Sequence, residues 1–212
     1  MSELKNLLVE ELQDLLNAEN QIVAALPKMA EAAHDAKLKE AFEKHLAQTQ
    51  GQVGRLESAL ALLGGKGDAK PCKGMKGLIE EGAETIEDGR DLDDLTADLA
   101  LIGAAQKVEH YEISGYGTAK CLARQIGERE VAVLLSQTLG EEESADYLLT
   151  AITKPLLQQS ISVEFGNGTK MPWGEPGETS SSDPSRPVMG GSKTRVASGS
   201  GVAALKAKKA KA

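Results

Sequence analysis

Carboxylates and one histidine occupy positions where helix periodicity asks for apolar side chains. One stripe reads Leu8, Leu12, Leu15, Glu19, Ile22 and Leu26, and a second reads Leu38, Phe42, His45, Thr49, Leu56 and Leu60. A third runs through Leu95, Leu99, Ile102, Gln106, Glu109, Ile113 and Tyr116, and a fourth through Val131, Leu135, Leu139, Glu142, Asp146 and Leu149. Steps of three and four residues hold the members of a stripe on one helix face, so each polar group is carried toward the core. A carboxylate placed there must be protonated, paired or bound to a metal, because unpaired charge in apolar surroundings is very costly.

One such set on each of four helices points to a shared partner at the centre. Glu112 follows Glu109 by three residues and Asp146 follows Glu142 by four, spacings that keep each pair on nearly the same face. Glu19, His45, Glu109, Glu112, Glu142 and Asp146 therefore form a candidate ligand set of five acids and an imidazole. Hard oxygen donors with imidazole suit a two-metal carboxylate centre in a bundle core. Two cations ~3.5–4 Å apart in such a centre support oxygen or hydrolytic chemistry. Taken singly, each acid is more often a solvated edge residue or half of an ion pair, and His45 a satisfied histidine. The joint pattern carries the metal reading. His110 lies off its stripe and is expected behind the ligands or at the surface, and Glu141 and Glu143 read as a solvated flank.

The elements that must position this set can be read from caps and breakers. Ser2 is a plausible cap for a first helix running to about Ala33, with Pro27 expected to kink or break it. Asp35 opens a second helix that ends at Gly64-Gly65. Residues 64–74 form a Gly- and Lys-rich crossover without the terminal Lys-Ser/Thr of a phosphate-binding loop, so no nucleotide is assigned. A short helix over 75–88 stops at Gly89. Long helices follow over about 91–126 and 128–160, with Pro155 expected to disturb the last turns. Two long hairpins joined by a helix-bearing linker are the wiring of a ferritin-like four-helix bundle. This reading places the bundle at residues 1–165. Residues 166–212 are rich in Gly, Ser and Pro, have no apolar period, and read as a disordered tail.

Composition agrees with an all-α chain. Of 212 residues 41% are hydrophobic but only 3% aromatic, and no strand-like alternation persists. The net charge is −8, yet residues 166–212 hold eight Lys/Arg against three acids, so the bundle is strongly acidic and the tail basic. An acidic body disfavours nucleic acid, which leaves the tail as the part able to hold it. No membrane-length apolar run and no signal peptide is seen, so a cytoplasmic location is expected. Cys72 and Cys121 form no Cys-x-x-Cys pair and are expected as free thiols.

Several segments carry a family resemblance. Asn17-Ala18-Glu19-Asn20-Gln21 with Ala25-Leu26-Pro27-Lys28-Met29 is similar to the YciE/YciF-type branch of the ferritin-like superfamily. So are the segments Cys72-Lys73-Gly74-Met75-Lys76-Gly77-Leu78 and Gln106-Lys107-Val108-Glu109-His110-Tyr111-Glu112-Ile113. Ser114-Gly115-Tyr116-Gly117-Thr118 and Leu139-Gly140-Glu141-Glu142 with Asp146 extend the likeness over about residues 3–160.

The resemblance implies a homodimeric, rubrerythrin-like bundle associated with bacterial stress responses. It also implies a di-iron or similar centre on Glu19, His45, Glu109, Glu112, Glu142 and Asp146. Ferroxidase- or peroxidase-type activity would follow from two Fe ions per chain. Two departures bear on this. The second helix offers His45-x-x-Gln48 where related chains have an acid, and the fourth has Glu142-x-x-x-Asp146 with no histidine. An oxygen-rich set admits Mn or Mg as well as Fe. The Lys/Ala ending resembles tails by which other small ferritin-like stress proteins hold DNA; the alternative is a solubilising tail. A non-catalytic structural dimer, its inward acids paired with Lys or Arg, is the other reading of the whole chain.

Overall fold

The computed structural model describes residues 2–65 and 71–165, the last five by their backbone alone. The tail over 166–212 and the crossover residues 66–70 lie outside the described residues. Five helices follow one another: α1 (Glu3–Ala32), α2 (Ala36–Leu63), α3 (Lys73–Gly89), α4 (Asp94–Gln125) and α5 (Arg129–Phe165). No strand occurs among the described residues, and none of the described helices is long and apolar enough to cross a membrane.

Local chemistry fixes the helix ends. The Ser2 side chain accepts from Lys5 N, and Asp35 accepts from Lys37 N and Leu38 N, each capping donors that the first turn leaves free. Gly64 closes α2 at φ +71°, and Gly127 turns the chain between α4 and α5 at φ +83°, conformations that a Cβ would strain. α3 starts at Lys73, two residues before the expected start, because the Cys72 thiol caps Met75 N at 3.4 Å. Asp93 caps α4, accepting from Thr96 N and Thr96 Oγ1. The two prolines do less than the sequence implies. α1 runs unbroken through Pro27, and α5 continues past Pro155 to Phe165. Packing against neighbouring helices outweighs the lost backbone hydrogen bond at each.

Three contacts set the directions of the helices. Lys5 Nζ, at the start of α1, meets Glu128 Oε1 just beyond α4 at 2.9 Å, so α1 and α4 are antiparallel. Asp98, early in α4, accepts from His34 N at 2.8 Å and Asp35 N at 2.6 Å, so α2 and α4 begin at the same end of the bundle. Arg55 of α2 donates to Thr138 of α5 at 3.0 Å. α1 therefore packs on α2 and α4, and α2 and α4 pack in turn on α5, while α3 lies against α1 and α4. The crossover carrying α3 is what allows α2 and α4 to run in parallel.

The apolar core falls into two clusters. One contains Ile22, Leu26, Phe42, Leu101, Ile102, Leu149 and Ile152. The other contains Leu8, Leu12, Leu15, Leu56, Leu60, Val131, Leu135 and Leu139. Along every long helix the polar stripe positions fall between them. α4 buries a wider arc than its expected stripe: Ala97, Leu101, Ala105 and Val108 are buried, whereas Leu95, Leu99, Gln106 and Ile113 are half-buried. It touches α1, α3 and α5, and small alanines let those neighbours approach.

Asp98 pins the α1–α2 turn to α4 through two backbone donors. Asp98→Ala is expected to lower stability by about 2–3 kcal/mol, because both N–H groups lose their acceptor. Thermal unfolding of this variant against Asp98→Asn, which keeps one acceptor oxygen, measures it; equal melting temperatures for Ala and wild type would contradict the pin.

Candidate metal centre

Between the two apolar clusters lies a buried polar layer fed by all four long helices. Glu19 is 0% exposed, His45 6%, Glu109 3%, Glu112 1% and Glu142 0%. Glu19, His45, Glu109 and Glu142 sit at stripe positions and Glu112 three residues beyond Glu109, so the same periodicity that buries Leu15, Phe42, Ala105 and Leu139 carries these groups inward. His45, Glu109, Glu112 and Glu142 offer ligand atoms that all lie within 4.8 Å of one another. His45 Nε2 is 3.4 Å from Glu109 Oε1 and 3.6 Å from Glu142 Oε2.

Glu19 joins this layer from α1 without belonging to that tight group. The Tyr116 hydroxyl donates to its Oε1. Asp146 stands outside. It is half-buried, accepting from Gln106 Nε2 at 2.9 Å, with His110 Nε2 at 3.4 Å from the same oxygen. The structure thus brings together four of the six residues proposed from sequence, places Glu19 beside them and leaves Asp146 on the flank. His110 is largely exposed, as its off-stripe position implies.

Several supporting residues escaped the sequence reading. Gln52 is fully buried and its Nε2 donates to both Glu142 Oε1 and Glu141 Oε2. The seven-residue gap between Thr49 and Leu56 in the α2 stripe was its signal, since a helix face needs an occupant midway. Glu141 pairs with the Arg55 guanidinium rather than standing free in solvent. Tyr111 turns away from the layer; its hydroxyl donates to Asp14 Oδ2 and lies 2.9 Å from Cys72 Sγ. Cys72 is a buried free thiol and Cys121 an exposed one.

The electrostatics of the layer are strained in one direction. Burial pushes the Glu19 carboxyl up from 4.5 to about 8 against the Tyr116 hydrogen bond, and the Glu142 charge adds to the rise. Burial likewise pushes Glu142 up to about 7, opposed by hydrogen bonds with Glu109 and Gln52. Glu109 and Glu112 are raised well above the usual carboxylate range, first by burial and then by the charges of Glu142 and Glu19 respectively. Burial lowers His45, which keeps the imidazole neutral and a lone pair available.

Every buried side-chain N or O atom without a hydrogen-bond partner among the described residues belongs to this layer. They are Glu19 Oε2, both His45 ring nitrogens, Gln52 Oε1, Glu109 Oε2, both Glu112 oxygens and Glu142 Oε2. Buried polar groups are nearly always satisfied. The concentration of unsatisfied acceptors in one place, with a neutral imidazole among them, is the chemistry of a cation site, and the residues present fit one.

Four long helices, a helix-bearing crossover and a carboxylate–imidazole layer at mid-bundle define a ferritin-like protein. The chain belongs to the family described as Domain of unknown function (DUF892), whose model matches residues 3–162. It is 42% identical over 151 residues to Protein YciF of Escherichia coli (strain K12), a match spanning 71% of this chain and 90% of that protein. The crystal structure of the E. coli stress protein YciF superposes with a TM-score of 0.67 at 39% identity, covering 75% of this chain and 99% of that one. A ferritin-like diiron-carboxylate protein from Bacillus anthracis shares the fold at a TM-score of 0.56 and 20% identity, over 72% of this chain and 99% of its own.

The raised carboxyls make the metal-free protein pH-sensitive. An acid whose pKa is higher folded than unfolded holds its proton only in the folded state, so its stabilisation falls as pH rises from 4.5 through the folded value. His45, lowered from 6.5, works oppositely but only below 6.5. Between pH of about 6.5 and 8.5 the carboxyls act alone, and the melting temperature of chelator-treated protein is expected to drop by about 5 °C or more. A flat or rising profile in calorimetry would contradict the electrostatics described.

Proposed function

We propose that this chain binds two divalent metal ions, iron foremost and manganese as the alternative, and uses them to consume peroxide or dioxygen under stress. The observation that carries this reading is the set of unpartnered buried acceptors at mid-bundle. Charge counting supports two ions. Four fully buried carboxylates, on Glu19, Glu109, Glu112 and Glu142, meet no buried Lys or Arg among the described residues. Two divalent cations would balance them.

His45, Glu109, Glu112 and Glu142 would hold the metal, with Glu19 reaching it from α1. When bound, iron would supply the capacity to exchange electrons with peroxide or dioxygen. The chain's own contribution is positional. Tyr116 fixes one oxygen of Glu19 and leaves the other free. Gln52 does the same for Glu142. The apolar clusters on either side restrict water, which strengthens each electrostatic contact in the layer. The kinship with a protein named as an E. coli stress protein supports the physiological setting, and the shared fold of a diiron-carboxylate protein supports the metal.

Elemental analysis after anaerobic loading with Fe(II) is the deciding experiment. About two ions per chain are expected in the wild type, as in two-metal bundle sites. Fewer than one is expected in Glu109→Gln and Glu112→Gln. The same variants should raise the stability of the metal-free protein, since each removes a buried ionisable group. Wild-type protein that takes up neither Fe(II) nor Mn(II) would overturn the reading in favour of a structural bundle.

A further inference from the structure

The polar layer is not sealed on all sides. A groove of about 470 Å³ runs between α2 and α5, and His45 and Glu109 form part of its lining. Both are more than nine-tenths buried, and both carry side-chain atoms without a hydrogen-bond partner. Small residues open the groove: Ala41 and Ala47 from α2, Ser144 and Ala145 from α5. Phe42 and Leu149 line the groove, and further along the same helix pair Leu56 and Leu135 are large and buried.

The rim carries an acid. Glu141 also lines the groove, is half-buried, and shares the Gln52 amide with Glu142 inside. Arg55, hydrogen-bonded to Thr138, holds Glu141 in place from the α2 side. An acid on the rim, bridged by one amide to an acid in the layer, makes a graded series of oxygen donors from solvent to core. The larger groove on the protein, about 640 Å³, offers nothing comparable. Its lining includes the acids Glu31, Glu87 and Asp94 with Lys28, His34 and Arg90, but none of the layer's residues.

We propose that the groove between α2 and α5 is the port by which divalent cations reach the mid-bundle layer, with Glu141 as the first carboxylate they meet. This rests on the metal-binding reading given above and names the path that reading requires. Hydrated cations cross protein slowly unless oxygen donors replace their waters stepwise. Glu141, then Glu142 and Glu109, supplies that replacement. Lys44 also lines the groove, but its Nζ is paired with Glu40 at 2.6 Å, and Glu141 is paired with Arg55, so what the mouth offers a cation is an oxygen donor rather than net charge.

The test uses the full-length protein, Mn(II) as the cation and two measurements. Ser144→Trp and Ala145→Phe fill the groove from α5, the first at an exposed position where folding is little affected. Arg90→Trp in the larger groove is the control. Stopped-flow Mn(II) uptake should slow strongly in both groove variants, while the final Mn content stays at the wild-type value and Arg90→Trp behaves as wild type. Glu141→Gln should slow uptake by about tenfold through loss of the carboxylate donor at the mouth. The second measurement needs no metal. Diethyl pyrocarbonate should acylate His45 in the metal-free protein, and Ser144→Trp should suppress this while exposed His34 and His110 react normally.

Unchanged Mn(II) uptake in both groove variants overturns the port and leaves the metal site standing. Failure of unsubstituted protein to acylate at His45 likewise overturns it. A change of oligomeric state in Ser144→Trp would show the groove to be covered by a second copy of the chain, and overturns it too. If no variant takes up Mn(II) or Fe(II), the metal reading itself falls and takes the cation with it, a result distinct from unaltered uptake.

Discussion

The burial of four carboxyls together in one low-dielectric layer is the constraint on which the structure turns. Nothing in the layer relieves it fully. Tyr116 and Gln52 each donate one hydrogen bond, and His45 stays neutral. A protein gains no stability from such an arrangement, since apolar residues of similar size would pack there at less cost. The layer is tolerable because large apolar clusters stand on both sides of it. They pack the helices that carry the carboxyls against one another. Rigidity bought from leucine packing is thereby spent on holding oxygen atoms near one another.

That division of labour explains the character of each helix. α1 and α5 devote almost all of their inward faces to apolar side chains and contribute one acid each to the layer. α4 contributes two, Glu109 and Glu112, in a three-residue step, with Tyr116 a further turn along. α2 contributes an imidazole and then two neutral polar residues. Thr49 satisfies itself on the His45 carbonyl at 2.9 Å, and Gln52 reaches across to α5. The acids are thus concentrated on α4, and the donors that moderate them come from Gln52 of α2 and Tyr116 of α4.

Much of this was legible in the sequence, and for a physical reason. A helix stripe is a periodic signal, and an acid within it is conspicuous against leucine. Glu19, His45, Glu109 and Glu142 were visible on that ground, as were the caps at Ser2 and Asp35. The long crossover with its short helix was equally plain from Gly64-Gly65 and Gly89. What periodicity cannot convey is rotation of a helix about its own axis by a fraction of a turn. Asp146 falls on the α5 stripe as surely as Glu142 does, yet a four-residue step overshoots the axis enough to leave it facing Gln106 and His110. The same limit hid the wider arc of α4, whose three neighbours no single stripe describes. Gln52 sits in the seven-residue gap between Thr49 and Leu56, where an uncharged amide does not stand out from the polar residues around it. The Tyr111–Cys72–Asp14 contact joins residues far apart in the chain, and no local pattern announces it.

The topology has a consequence for how the chain can fold. Glu19 and His45 lie on the first hairpin, α1–α2, and Glu109, Glu112 and Glu142 on the second, α4–α5. Each hairpin closes through a turn of a few residues and buries much of its apolar stripe locally, at little loop entropy. Neither hairpin alone completes the charged layer. The four carboxyls are buried together only when the two halves dock. Docking is therefore the step that protons or cations can accelerate, and the acids that define the protein's chemistry are kept apart until the scaffold able to restrain them exists.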